Sequence, residues 1–285
     1  MAAIFNFASA PAFAVNALWT GDGGDNNFTN QENWNPEVMI SLDTGTFAGD
    51  ASEITNPVLN SYFQAVALNF QSAGWVLGGS GTLRLNWNNG TTINASAITS
   101  GTITINHSLE VITNQSWTIG NGDASTSLLN IHGDLSGAGN LTFGGRGGQI
   151  NLYGSAANFT GTVQLNGYAN IGLARADALG SGTLINNGAS LINLNAAPLT
   201  LANDMTLNAG WNYGRLASWG GDTPRDSTLI LTGNLLADKS NQVAIQSGTL
   251  VIAGSISGTG LFGRGTYSQS GALVLAGDNR GFSGT

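Results

Sequence analysis

"DLSGAGNLTFGGRGGQINLYGSAANFTGT", residues 134–162, decides how the rest of the chain is read. Its glycines separate short stretches such as Gln149-Ile150-Asn151-Leu152-Tyr153, where apolar residues recur at every second position, as in a half-buried strand. Three readings compete: a phosphate cradle, a flexible linker, or the punctuation of a repeating β structure. A dinucleotide loop needs Gly-x-Gly-x-x-Gly, and after Gly137-Ala138-Gly139 the third position is Thr142. No Gly-Lys-(Ser/Thr) occurs, and no helix signal follows that would aim an N-terminus at a phosphate. The glycines therefore read as corners, supplying the positive φ that tight turns require.

The stretch also has a partner. "LNIHGDLSGAGNLTFGGRGGQINLYGSAANFTGT" (129–162) lies over "LVIAGSISGTGLFGRGTYSQSGALVLAGDNRGFSGT" (250–285), sharing Leu-x-Ile-x-Gly, Ser-Gly-x-Gly, a Gly-Arg-Gly and a final Phe-(Thr/Ser)-Gly-Thr. A degenerate copy of the first half stands at 229–250, so the repeat is interrupted rather than tandem. Between these landmarks run further alternating segments, among them "TLRLNW", "GTITINHSLEVIT" and "STLILTGNL", each bounded by Gly, Asn, Asp or Ser. The best helical candidate, "LARADALG" at 173–180, is one or two turns long.

Local repeats of strand and turn fit a solenoid of stacked coils, each of roughly 20 to 24 residues. Asn at the turns tolerates left-handed backbone and forms side-chain ladders when coils stack. The predicted fold is all-β, a solenoid of stacked coils over 76–285. Residues 15–75 are aromatic-rich and less regular, the composition expected of an N-terminal cap that covers an open coil end. Residues 1–14, "MAAIFNFASAPAFA", end in an A-x-A pattern and read either as the remnant of an export signal or as an N-terminal strand.

Composition narrows the function. Only 8% of residues are charged against about 25% in an ordinary soluble domain, so the surface must be built from Asn, Ser, Thr, Gln and Gly. A net charge of −8, one lysine and scattered arginines argue against nucleic acid or anionic lipid as a partner. With no cysteine there are no disulfides, thiolate metal sites or cysteine nucleophiles. No apolar run is long enough for a membrane-spanning helix.

The units "ISGTGLF…GALVLAGDNRGFSGT" and "NFTGTVQLNGYANIGLARADALGSGTLINNGASL" resemble the passenger-associated transport repeat of bacterial autotransporters, and "ALWTGDGGDNNFTNQENWNPE" resembles the segment that opens many such passengers. The resemblance covers about 90 residues well and implies a right-handed parallel β-helix, an exported, adhesin-like surface protein with no catalytic residues and no cofactor. It also implies contact with an outer membrane only through a C-terminal barrel region, which this sequence lacks. Because the second copy stops at Thr285 where the first continues, the chain reads as cut in mid-repeat, or as ending in a coil that another molecule completes.

Candidate sites are few. Asp22 and Asp25 in "GDGGDNNF" offer hard oxygen donors for Ca²⁺ without EF-hand spacing, and an Asx-rich turn explains them equally. The cluster of Trp211, Tyr213, Arg215 and Trp219 before "GGDTPRD" offers aromatic faces for sugar rings. Asp123, Asp134, Asp204, Asp222, Asp226 and Asp238 are the carboxylates from which a polysaccharide-cleaving β-helix would draw. His107 and His132 lie in strand-like alternation and read as ordinary histidines. The expected function is that of a non-catalytic extracellular scaffold or adhesin whose partners are its own copies or glycans. A head-to-tail filament subunit and a polysaccharide-binding or -cleaving β-helix are the alternatives.

Overall fold

The computed structural model describes residues 15–37, 43–50, 56–86, 89–208, 227–239, 241–243, 245, 248–264 and 271–285. Its elements are short strands whose burial alternates as their sequences do: Thr102–Ile105 (TITI) and Leu128–Ile131 (LLNI) both bury every second residue. Three such strands separated by corners make one coil, and successive coils pair in parallel register. The result is the parallel β-solenoid that the local repeats predicted, and it has three faces.

The long face is a sheet of twelve strands running from the N-terminal region to Ile256–Ser257. All its neighbours pair in parallel except Trp34–Asn35, which lies antiparallel on Asn16–Trp19. The second face holds five strands from Tyr62–Ala65 to Asn158–Phe159, and then four from Leu199–Leu201 to Ala272–Leu275. Between the two sets, residues 174–183 replace a strand with turns, so the helical segment expected at 173–180 is not formed; Ala178 and Leu179 of this stretch are nonetheless buried. The third face holds six strands from Val76–Leu77 to Ser190–Asn193, and later the pair Asn241–Val243 and Phe262–Arg264. Along the long face the register advances 21 residues from Leu165 to Asn186. It advances 30 from Thr206 to Leu236, in the coil that carries 209–226.

Inward residues stack into columns. On the third face Ile103, Leu129, Ile150, Ile171 and Leu191 sit one above the other, all fully buried. Each such side chain contributes about 1.5–3 kcal/mol relative to exposure. At the N-terminal end the filling is aromatic. Trp19 and Phe28 pack on Trp34, with ring centroids 5.0 and 5.2 Å away, and Phe47 lies between Trp34, Phe70 and Trp75. The Trp34 indole N–H, which no backbone ladder satisfies, donates to the Phe28 carbonyl at 2.9 Å. In the last strand Leu275 is 47% exposed, although Ile252, its register partner one coil earlier, is buried.

Corner glycines have two physical reasons, of which the sequence suggested only one. Gly145 has φ of +119°, the conformational reason. Gly139, Gly161 and Gly182 show no such φ; they stand in one vertical column, and a Cβ on Gly161 or Gly182 would lie 2.0 Å from the carbonyl oxygen of the glycine below. Stacking at the strand spacing of about 4.8 Å leaves no room for a side chain there. The column continues through Asn203, whose side chain donates to the Gly180 and Gly182 carbonyls at 2.9 and 2.8 Å, to Gly233, Gly254 and Gly277.

This column corrects the sequence overlay. Gly254, aligned with Gly133 by sequence, stands in the column of Gly139, and Leu250–Ile252 lie on the second face while Leu129–Ile131 lie on the third. The two copies share a motif but sit one face apart. A strand followed by a glycine corner answers the same demands on every face, so sequence similarity does not fix which face a copy occupies.

Replacing Gly161 by Ala, which drives a Cβ into the Gly139 carbonyl, is expected to destabilise the fold by on the order of 3 kcal/mol. Gly122→Ala, with open space at that position, is expected to change stability by less than about 0.5 kcal/mol. Denaturant melts of the two variants check this; equal melts would contradict the close-approach account.

Candidate binding face

The placement of charge is the most distinctive feature of the surface. Of the twelve strands of the long face only Leu141–Arg146 includes an ionisable residue, and that residue, Arg146, stands at the strand's end. The six stacked strands of the third face contain none. Strand charges on the second face are Arg84 and Glu110, one coil apart. The strand Phe262–Arg264, in the later pair on the third face, ends in Arg264, and the other described charges lie at corners, in loops and in the short turn Gln31–Asn33. The long face apart from Arg146, and the six stacked strands of the third face, are thus polar and neutral.

Amides and hydroxyls fill these walls and bond along the stack. On the long face the Asn94 amide donates to Asn69 (3.2 Å), and Thr118 donates to Asn94 (3.2 Å). Further on, Asn208 donates to Asn187 (3.1 Å) and Asn187 to Asn166 (2.8 Å). The third face has the pair Asn151 to Asn130 at 2.9 Å. Each ladder fixes amide orientation and leaves the outer donors and acceptors facing solvent. Asx side chains at corners do a related job, accepting a backbone N–H from the next coil: Asp134 from Ser155 (2.8 Å), Asp204 from Asn234 (2.7 Å), Asn140 from Thr162 (3.1 Å).

Near the N-terminal end the long face dips into a groove of about 300 Å³. Its column of outward residues reads Asn16, Thr44, Ala67, and Ala67 is the small residue that makes the depression. Val15, Leu68, Asn69, Thr91 and Asn94 complete its lining.

The charged residues are mostly spoken for. Arg84 grips Glu110 through two contacts of 2.9 Å and lies 5.3 Å from the centre of the Tyr62 ring. The guanidinium holds the Glu110 carboxyl below its ordinary range. Arg146 pairs with Asp123 at 2.6 Å and lies 5.0 Å from the Tyr168 ring centre. Asp177 takes the Ser155 hydroxyl at 2.5 Å and the Arg175 guanidinium at 3.0 Å. His132 stacks flat on Tyr153, centroids 4.4 Å apart.

The residues singled out in the sequence fare differently. Asp25 is a structural acceptor: its Oδ1 receives the Asn27 backbone N–H (2.9 Å) and the side-chain amides of Asn30 (3.2 Å) and Asn33 (3.0 Å). These donors hold its carboxyl below the usual range. Asp22 is exposed, and its backbone N–H meets the Thr20 hydroxyl at 3.3 Å. Among the described residues no group of three His, Asp or Glu is placed to hold a metal. Trp211, Tyr213, Arg215 and Trp219, with Asp222 and Asp226, lie outside the described residues. Sequence reading missed the neutral walls and the groove, although a tally of ionisable residues inside the alternating segments carries the signal.

His107 stands at the corner between Thr102–Ile105 and Ser108–Val111, 1% exposed, with neither ring nitrogen hydrogen-bonded. Burial pushes its imidazole from 6.5 down to about 4. The unfolded chain takes up this proton below pH 6.5 while the folded one resists until about 4, so the stability present above 6.5 falls with pH across that window. The loss is about 3 kcal/mol once pH is below both values. Urea midpoints between about pH 7 and 4.5 are expected to drop in the native chain and to stay nearly level in His107→Leu.

Comparisons with known protein families, with curated proteins and with solved structures find no match for this chain.

Proposed function

We propose that this chain acts outside the cell as a rigid, non-catalytic β-solenoid, an adhesive scaffold that makes contact through its neutral walls with hydroxyl-rich glycans or with other copies of itself. The observation that carries the reading is the absence of ionisable residues from the six stacked third-face strands and, apart from Arg146, from the twelve of the long face. Bringing a charged surface against another requires stripping water from ions, at a cost that only precise pairing offsets. A wall of amides and hydroxyls carries no such cost and exchanges hydrogen bonds with water for hydrogen bonds with a hydroxylated partner. Rigidity follows from the ladders: each coil is held to its neighbours by backbone bonds on three faces, and an adhesin must transmit force without unravelling. The resemblance to autotransporter passengers supports export to a bacterial surface.

The second reading is a filament subunit joined head to tail by strand addition, since strand edges template such pairing. The long-face edge at Asn16–Trp19 carries the antiparallel strand Trp34–Asn35, so a joining molecule would have to pair on another face or displace that strand.

The test of the first reading is adhesion of beads coated with the full chain to glycan-bearing surfaces. Binding is expected to hold within twofold as salt rises to about 1 M, where charge interactions are screened beyond about 3 Å. Loss of adhesion with salt, or turnover of the glycan, would contradict it. Electron microscopy separates the second reading, which requires filaments where the first requires isolated rods.

A further inference from the structure

We propose that the groove on the long face around Ala67 is a subsite for one neutral sugar residue of a bound glycan, an inference that rests on the adhesive reading above. The groove's volume of about 300 Å³ is at the lower end of small-ligand sites, the scale of a single ring rather than of a long chain. Its floor is apolar: Ala67 presents a methyl group where the preceding coil presents Thr44, and Val15 adds a second apolar wall, with Thr91 of the following coil also lining the groove. A sugar ring has a C–H face that suits such a floor and a hydroxyl rim that needs hydrogen bonds.

The rim supplies them. The Asn16 amide oxygen is taken by the Thr46 hydroxyl, and the Asn69 amide oxygen by the Asn94 side chain at 3.2 Å. Each amide is therefore fixed in orientation, and its NH₂ group has no partner among the described residues. The Thr44 hydroxyl is likewise unspent among them. Two oriented amide donors and a hydroxyl around an apolar floor form a preorganised site, in which little side-chain entropy is lost on binding. Among the described residues no ionisable side chain lines the groove, so an anionic sugar would give up its hydration there without a compensating cation from them.

The experiment is calorimetric titration of the full chain with cellopentaose, chitopentaose and maltopentaose as neutral probes and a galacturonate pentamer as the anionic one. At least one neutral probe is expected to bind and the anionic one not. Ala67→Phe, which fills the groove from the outward face, is expected to weaken binding by about tenfold or more, and Asn16→Ala, which removes a donor from an exposed position without adding bulk, by about fivefold. Thr206→Ala, on the same face but several coils away, should bind as the native chain does. Thermal melts confirm folding of each variant, and Asn16→Ala carries the test if Ala67→Phe does not fold. Binding that survives both groove changes, or preference for the anionic probe, overturns the subsite while leaving the adhesive reading in place. No binding of any neutral probe by a chain whose beads still adhere to glycan surfaces overturns it also.

Discussion

Coil stacked on coil at the spacing of a hydrogen-bonded strand is the constraint from which the rest of this structure follows. At about 4.8 Å between backbones, every position that lies directly over its counterpart must either point inward, point outward or have no side chain. Inward positions become the columns of Leu, Ile, Phe and Trp. Corners where the carbonyl of one coil meets the Cα of the next become glycine, as in Gly139, Gly161 and Gly182, or an Asn that bonds the carbonyls instead, as Asn203 does.

The same constraint shapes the outer surface. Identical positions in successive coils face one another at that short distance, so a repeated charge would repel itself along the whole stack. Amides and hydroxyls repeat without this cost and bond to their own kind, which is what Asn166, Asn187 and Asn208 do. Where charges do enter a strand they alternate in sign between coils, as Arg84 and Glu110 do, or retire to a corner, as Arg146 and Asp123 do. Neutral walls are thus first a condition of stacking. The contact with glycans or with copies of the chain that we propose draws on the same chemistry, and the groove at Ala67 is a local variation on it.

Much of the fold was legible in the sequence because its signals are local. Alternation in "TITI" and "LLNI" gives strands, and Trp19, Phe28 and Trp34 mark the aromatic end. What was not legible is which face a strand joins. Leu129–Ile131 and Leu250–Ile252 look alike and sit on different faces, because the number of residues between corners, not the motif, sets the phase of each coil. The turns at 174–183 replaced an expected helical segment since apolar Ala178 and Leu179 needed only to fill a corner, not a helical stripe. The site was less legible than the fold. Asp25 was weighed as a metal ligand, but only the folded loop shows Asn27, Asn30 and Asn33 converging on it. The groove depends on Ala67 lying over Thr44 and Asn16, positions brought together by register alone.

The central claim is that the neutral walls, and not the charged corners, make the contacts. Oxidative footprinting of the rod adsorbed on a hydroxylated polysaccharide, read by mass spectrometry against the free protein, tests it most directly. The account predicts protection along the long and third faces, at peptides spanning 67–70, 102–105 and 184–187, with Arg84 and Glu110 on the second face as reactive as in solution. Protection centred on the second face around Arg84 and Glu110, with the long face unchanged, would contradict it.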